Sequence, residues 1–162
     1  MDIKTKILFA ARDLFFKFGT KRITMDEIAK HLGVSKKTIY QYFEDKNLIV
    51  DSLCEASMCE NEVSFKELTE RSKDPIHEMI EVAAHMTTVF SKINPVFFYD
   101  LQKFHLEAWK RFNEFKKGMV STMLEKNLKE GIRLGYYRKD LNITLMAKYR
   151  ILQTDIALTP DM

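Results

Sequence analysis

Apolar side chains recur every three or four positions along most of this chain, and no sustained apolar-polar alternation appears, so the pattern predicts an all-α protein. Ile7, Leu8, Ala11, Leu14, Phe15 and Phe18 form one apolar face of a first amphipathic helix, and Gly19 is placed to end it. Thr24 then supplies an N-cap oxygen with Glu27 three residues on, the spacing of a capping box, and Ile28 and Leu32 lie one turn apart on the helix it opens. Small Ala29 leaves room for a crossing helix, and Gly33 permits a sharp stop near His31 or Leu32. After a corner plugged by Val34, Ser35 caps another helix in which Ile39 and Phe43 continue the buried stripe.

The rest of the pattern is also helical. A fourth helix is expected from Asp45, its cap, to about Arg71. Asp74-Pro75 opens a fifth with Ile76, Met79, Ile80, Ala83, Ala84, Thr87 and Phe90 inward, and Asn94-Pro95 ends it and starts a short sixth. A long seventh runs from about Phe104 to Arg133. Gly131 and Gly135 frame the following turn, Asp140 or Asn142 caps an eighth helix, and Ile143 to Leu158 is amphipathic, with Thr159 to Met162 following.

The segment Thr24 to Lys46 carries the chemistry. With Ile39 and Phe43 inward, Lys36, Lys37, Thr38, Tyr40, Gln41 and Tyr42 face outward, a set of cations, hydroxyls and an amide suited to phosphates and to base edges in the major groove. The plainer reading is a helical hairpin with a solvated polar face. Lys46 sits in the first turn of the fourth helix, where a cation opposes the helix dipole unless something negative, such as a phosphate, lies beside it.

Ile7-Leu8, Ala10-Ala11, Leu14-Phe15, Gly19, Thr24, Ile28-Ala29, Gly33-Val34-Ser35, Ile39-Tyr40, Tyr42-Phe43, Lys46 and Leu48 occur in order and without a gap. In this pattern residues 7–50 resemble the DNA-binding domain of the TetR family of bacterial transcriptional regulators. The resemblance implies an N-terminal helix-turn-helix domain, 1–46, and a helical ligand-binding and dimerisation domain, 47–162. It places Lys36, Lys37, Thr38 and Tyr40 against bases and adjoining backbone, with Thr24, Tyr42 and Lys46 on phosphates. Gln41 reads a base or stays in solvent, and Ser35 completes the set. The turn GYYRKDLN resembles a junction between late helices of the same family. Relatives usually carry one further long helix at the dimer interface, so this chain is expected to be a short variant, to be truncated, or to dimerise through its seventh and eighth helices alone.

Charge agrees with that division. The first fifty residues hold ten Lys or Arg against six Asp or Glu, whereas the remaining 112 carry a net −1. The 162 residues, 46% of them hydrophobic, suffice for a sizeable core of one or two domains. No apolar run of eighteen residues occurs and the N-terminus lacks a signal-like apolar stretch, so a cytoplasmic protein with no membrane association is expected. Cys54 and Cys59, five apart on a helix, point to different faces and are expected to stay reduced.

Enzyme chemistry finds no support. HExxH, GxSxG and phosphate-binding glycine loops are absent, and His31, His77, His85 and His105 show no metal-ligand spacing, so neither catalysis nor a metal or cofactor is expected. The pairs His77/Glu81 and His105/Trp109 read as structural.

Aromatic residues crowd the middle of the chain. Phe90, Phe97, Phe98, Phe104, His105 and Trp109, faced by Met79, His85 and Met86, would suit a small apolar or aromatic effector, although an aromatic-rich bundle core explains the same residues. A helix-turn-helix reads only a few base pairs, so a homodimer on an inverted-repeat operator in double-stranded DNA is expected. Met119, Met123, Leu124, Leu128, Leu145, Met146, Tyr149, Leu152 and Ile156 offer its apolar surface. The function implied is a repressor released by its ligand; the competing reading is a helical adaptor that binds DNA without sequence preference.

Overall fold

The computed structural model describes residues 2–158. Among them run eight helices and no strand: α1 Ile3–Phe18, α2 Met25–Leu32, α3 Lys36–Tyr40, α4 Lys46–Arg71, α5 Pro75–Phe90, α6 Val96–Phe104, α7 Leu106–Leu134 and α8 Ile143–Leu158. The helix starts follow the expected caps. Asp45 Oδ1 accepts from Leu48 N (2.9 Å), Asp74 Oδ1 from Ile76 N and His77 N (both 2.9 Å), and Asn142 Oδ1 from Leu145 N (3.0 Å). Thr159 to Met162 lie outside the described residues.

Two compact units divide the chain: residues up to 57 together with 91–111, and 58–90 together with the residues from 112 onward. The first therefore extends beyond the expected boundary at residue 46. The physical reason is burial, since Ile49, Val50 and Leu53 of α4 and Phe97, Phe98 and Leu101 of α6 are all core residues. In this unit Ile7, Phe15, Ile28 and Ile39 are fully enclosed. Phe97 meets Phe16 edge-on at 5.0 Å and Phe98 at 5.4 Å, and Asn94 N donates to Phe16 O (2.7 Å). The long seventh helix stands within two residues of its expected bounds, about Phe104 to Arg133. His105 caps α6, with φ −132° and ψ 59°, and α7 begins directly after it.

The second unit has two apolar clusters. Phe65, Leu68 and Val82 pack with Met86, Met119 and Met123, while Leu124, Leu128 and Ala147 pack with Met79, Tyr137, Leu141 and Ile143. Leu124 and Leu128, expected on a dimer surface, are thus core. Leu145, Tyr149, Leu152 and Ile156 remain exposed at spacings of four, three and four along α8.

The inward face of α5 differs from the expectation. Pro75 and Val82 are buried and Met79, Met86 and Phe90 partly so, but Ile76, Ile80, Ala83, Ala84 and Thr87 are exposed. This helix is apolar around most of its circumference, so hydrophobicity alone does not choose a face. Asn127 does: its side-chain amide donates to Pro75 O (2.8 Å) and Glu78 Oε2 (2.7 Å), and its oxygen accepts from the Tyr137 hydroxyl (3.0 Å).

Both cysteines are free thiols, as their spacing implied. Cys54 is buried, and desolvation pushes its thiol up to about 12, so it stays protonated and unreactive.

Candidate nucleic-acid interface

The reading motif is assembled by three local devices. At the start of α2, Thr24 Oγ1 accepts from Glu27 N (3.2 Å) while Glu27 Oε2 takes Thr24 N (2.7 Å), completing the capping box. The Thr24 backbone and hydroxyl bonds hold the Glu27 carboxyl below its usual range. At its end Gly33 adopts φ 74° and ψ 31°, and Val34 N returns to Ala29 O (3.0 Å). Ser35 Oγ then accepts from Thr38 N (3.1 Å) to start α3.

Ile39 and Phe43 are buried beneath this motif, and Lys36, Lys37, Tyr40, Gln41 and Tyr42 are exposed, with Thr38 half-buried. Helix α3 itself stops at Tyr40, so Gln41 and Tyr42 project from the turn that follows. Two large exposed aromatic rings among two lysines form a surface that can stack on sugars and bases while its cations meet phosphates. Lys36 Nζ lies 2.9 Å from Asp26 Oδ2, and that hydrogen bond raises its proton affinity. Ser35 Oγ and Thr38 Oγ1 are paired at 2.8 Å.

Two residues assigned to phosphates have partners within the protein. The Thr24 hydroxyl gives its proton to Glu27 Oε2 (2.9 Å), so a phosphate there would compete with the capping box. Lys46 Nζ donates to Thr20 O (2.8 Å) and Ile23 O (2.9 Å). These carbonyls supply the negative partner that a cation at a helix start requires. Burial lowers the Lys46 pKa, opposed by the charges of Asp100 and Glu27.

The aromatic set is divided. Phe97, Phe98, His105 and Trp109 are buried in the first unit and Phe104 is exposed there, whereas Met79, His85, Met86 and Phe90 are partly buried in the second. His105 Nε2 is paired with the buried Thr20 hydroxyl at 3.0 Å. In the second unit His85 meets Phe65 edge-on at 5.7 Å, and its Nε2 is a buried atom with no hydrogen-bond partner.

Asp100, which sequence reasoning missed, is 3% exposed and accepts from Lys21 N at 2.7 Å. The signal was present: an acid three residues after Phe97 and next to Leu101, on the stripe that packs inward. With α6 included, the first unit holds fourteen Lys or Arg against ten Asp or Glu, so its positive surplus survives the new boundary.

His105 makes this unit sensitive to acid. Burial lowers its pKa from 6.5, as does the nearby Lys46, against the opposing charges of Asp51, Asp100 and Asp45. The unfolded chain takes up the proton first, so stability is full above about pH 6.5 and falls as the pH drops below it. The thermal midpoint is expected to decline as the pH is lowered through about 6.5, and His105→Gln to shrink that decline. Parallel pH curves for the two proteins would exclude His105 as the source.

Residues 7–53 match the family described as bacterial regulatory proteins, tetR family. The fatty acid metabolism regulator protein of Bacillus subtilis is 28% identical over 86% of this chain and 73% of its own length. The solved structure of the transcriptional regulator FadR from Bacillus subtilis in complex with stearoyl-CoA superposes with a TM-score of 0.74 and 26% identity, covering 96% of this chain and 84% of that one. Residues 7–53 thus form a tetR-family domain. A further relative in Bacillus subtilis, the uncharacterized HTH-type transcriptional regulator YhgD, is 36% identical over 57% of this chain, a match that spans 48% of YhgD. Among the described residues the chain is all-helical, with its DNA-binding helix-turn-helix at the N-terminus.

Proposed function

We propose that this chain is a sequence-specific transcriptional repressor that binds an inverted-repeat operator as a homodimer and leaves it when a small apolar ligand is bound. The observation that carries the reading is the outward face of α2 and α3. A capped helix-turn-helix with a buried Ile39–Phe43 stripe presents Ser35, Lys36, Lys37, Thr38, Tyr40, Gln41 and Tyr42 together. Lys46 supports this surface from behind through the carbonyls it holds. Selecting bound duplexes from a random pool tests it. An inverted repeat supports specific reading by a two-fold dimer, and recovery of unrelated duplexes with salt-dependent affinity would favour the adaptor reading instead.

Lys37→Ala and Thr38→Ala are expected each to cost on the order of 1 to 3 kcal/mol on the selected operator and to relax preference at one position, with little change on random duplex. Equal losses on both duplexes in a titration would remove these residues from base reading.

The exposed Leu145, Tyr149, Leu152 and Ile156 stripe of α8 has the four-three spacing that two helices use to interdigitate, and it is the surface we assign to the second protomer. For the effector, the stearoyl-CoA held by FadR supports a ligand with a long apolar chain. In the second unit Met86, Met119 and Met123 provide adaptable apolar walls, and the unpaired Nε2 of His85 offers a polar anchor. A tenfold loss of operator affinity on ligand binding needs only about 1.4 kcal/mol of differential affinity, and α4 and α7, each continuous through both units, are the covalent routes for it. Operator affinity unchanged by saturating stearoyl-CoA would eliminate that class of inducer.

A further inference from the structure

We propose that Asp100 and His105 are positioning residues for DNA reading: from the end of α6 they hold the loop between α1 and α2 and thereby set the capped start of the helix-turn-helix. The inference rests on the DNA-reading function proposed above. The loop is short, Gly19 to Ile23, and ends directly at Thr24, the N-cap of α2. Lys21 N donates to Asp100 Oδ2 at 2.7 Å, and Thr20 Oγ1 lies 3.0 Å from His105 Nε2. From α4, Lys46 Nζ donates to the carbonyls of Thr20 and Ile23 at either end of the same stretch. Thr20, Lys21, Ile23 and Thr24 are therefore each hydrogen-bonded, through backbone or side chain, to α4, α6, His105 or the capping box.

The Thr20–His105 bond is buried and those to Asp100 and Lys46 are partly buried, and polar contacts of this kind are not interchangeable with apolar packing. Thr20 is fully enclosed, and Asp100 and His105 are 3% and 9% exposed. Beside them Phe97 and Leu101 show that α6 docks well enough through apolar residues. A carboxylate in such a place is a costly way to gain stability, but it fixes direction, because it accepts only from donors aimed at it. Gly19 completes the fit: a methyl group there would stand 2.5 Å from Asp100 Oδ2. A shift of α6 that breaks the Asp100 and His105 contacts would free the loop, and with it the residue that caps α2.

The test uses the full chain and the operator selected from random duplexes. If the unmodified protein selects no motif, the DNA-reading function itself fails and the positioning roles with it; if it does, the variants decide. Asp100→Ala and His105→Leu are expected to reduce the ratio of operator to random-duplex affinity about tenfold, whereas Asp100→Asn and His105→Gln, which keep an acceptor in place, restore it. Amide hydrogen exchange supplies a second readout. The Glu27 N–H, bound to Thr24 Oγ1, should exchange faster in the first pair while the Gly19 N–H, bound to Phe15 O, is unchanged. An affinity ratio within twofold of the unmodified protein, operator and random duplex weakened in parallel, or Glu27 and Gly19 amides accelerating together would each overturn the proposal. Should Asp100→Ala fail to fold, the two His105 variants decide it by the same criteria.

Discussion

Gly19→Ala is expected to destabilise the DNA-reading unit by about 3 kcal/mol, enough to remove operator binding at ordinary concentrations. Two effects add. Gly19 has φ 80° and ψ 166°, a conformation that almost only glycine adopts, and strain of this kind costs roughly 1 to 3 kcal/mol. The new methyl group also meets Asp100 Oδ2 at 2.5 Å and Val96 Cγ1 at 3.2 Å, and the carboxylate cannot turn aside without releasing Lys21 N. Gly33→Ala is the internal control, since Gly33 also has positive φ but open space around its α-carbon. Urea unfolding should show a loss of only about 1 kcal/mol there. Similar losses at both glycines would mean that the Asp100 contact contributes nothing.

Asn127→Leu is expected to cost the second unit about 3 kcal/mol despite the similar volume of the new side chain. Asn127 is 1% exposed and makes three hydrogen bonds, to Pro75 O, Glu78 Oε2 and the Tyr137 hydroxyl. Leucine leaves those partners in an apolar setting with fewer ways to be satisfied, and it removes what chooses the inward face of α5. Gly131 nearby has no room to compensate, because a methyl group on it would overlap the Tyr137 ring at 2.2 Å. Calorimetric melting checks this: an unchanged midpoint would show that apolar packing alone orients α5.

The helix-turn-helix was legible because its determinants are local. Thr24 with Glu27, Gly33, and Ser35 with Thr38 act across three or four residues, and each stands where the spacing indicated. The same holds for the caps at Asp45, Asp74 and Asn142. What local spacing does not contain is the choice among partners far along the chain. Ile76 and Ile80 are as apolar as Val82, and the partners that hold one face of the helix inward, Asn127 and Tyr137 among them, lie some fifty residues later. Lys46 looked like a cation awaiting phosphate because its carbonyl partners at Thr20 and Ile23 are invisible to periodicity. Nor does proximity in sequence reveal membership of a unit: Phe90 and Phe97 are seven residues apart and belong to different ones.

Discontinuity of the reading unit also bears on how such a protein is made and recombined. On the ribosome the whole helix-turn-helix emerges well before Asp100 and His105, so a nascent chain stalled after α4 carries the buried Thr20 hydroxyl and the Lys21 N–H without the groups that satisfy them. A chimera cut at residue 46, the boundary expected from sequence, or at the end of α4 would join part of one parent's reading head to part of another's. Exchange of operator preference between two such regulators is therefore expected to require that α6 travel with α1 to α4.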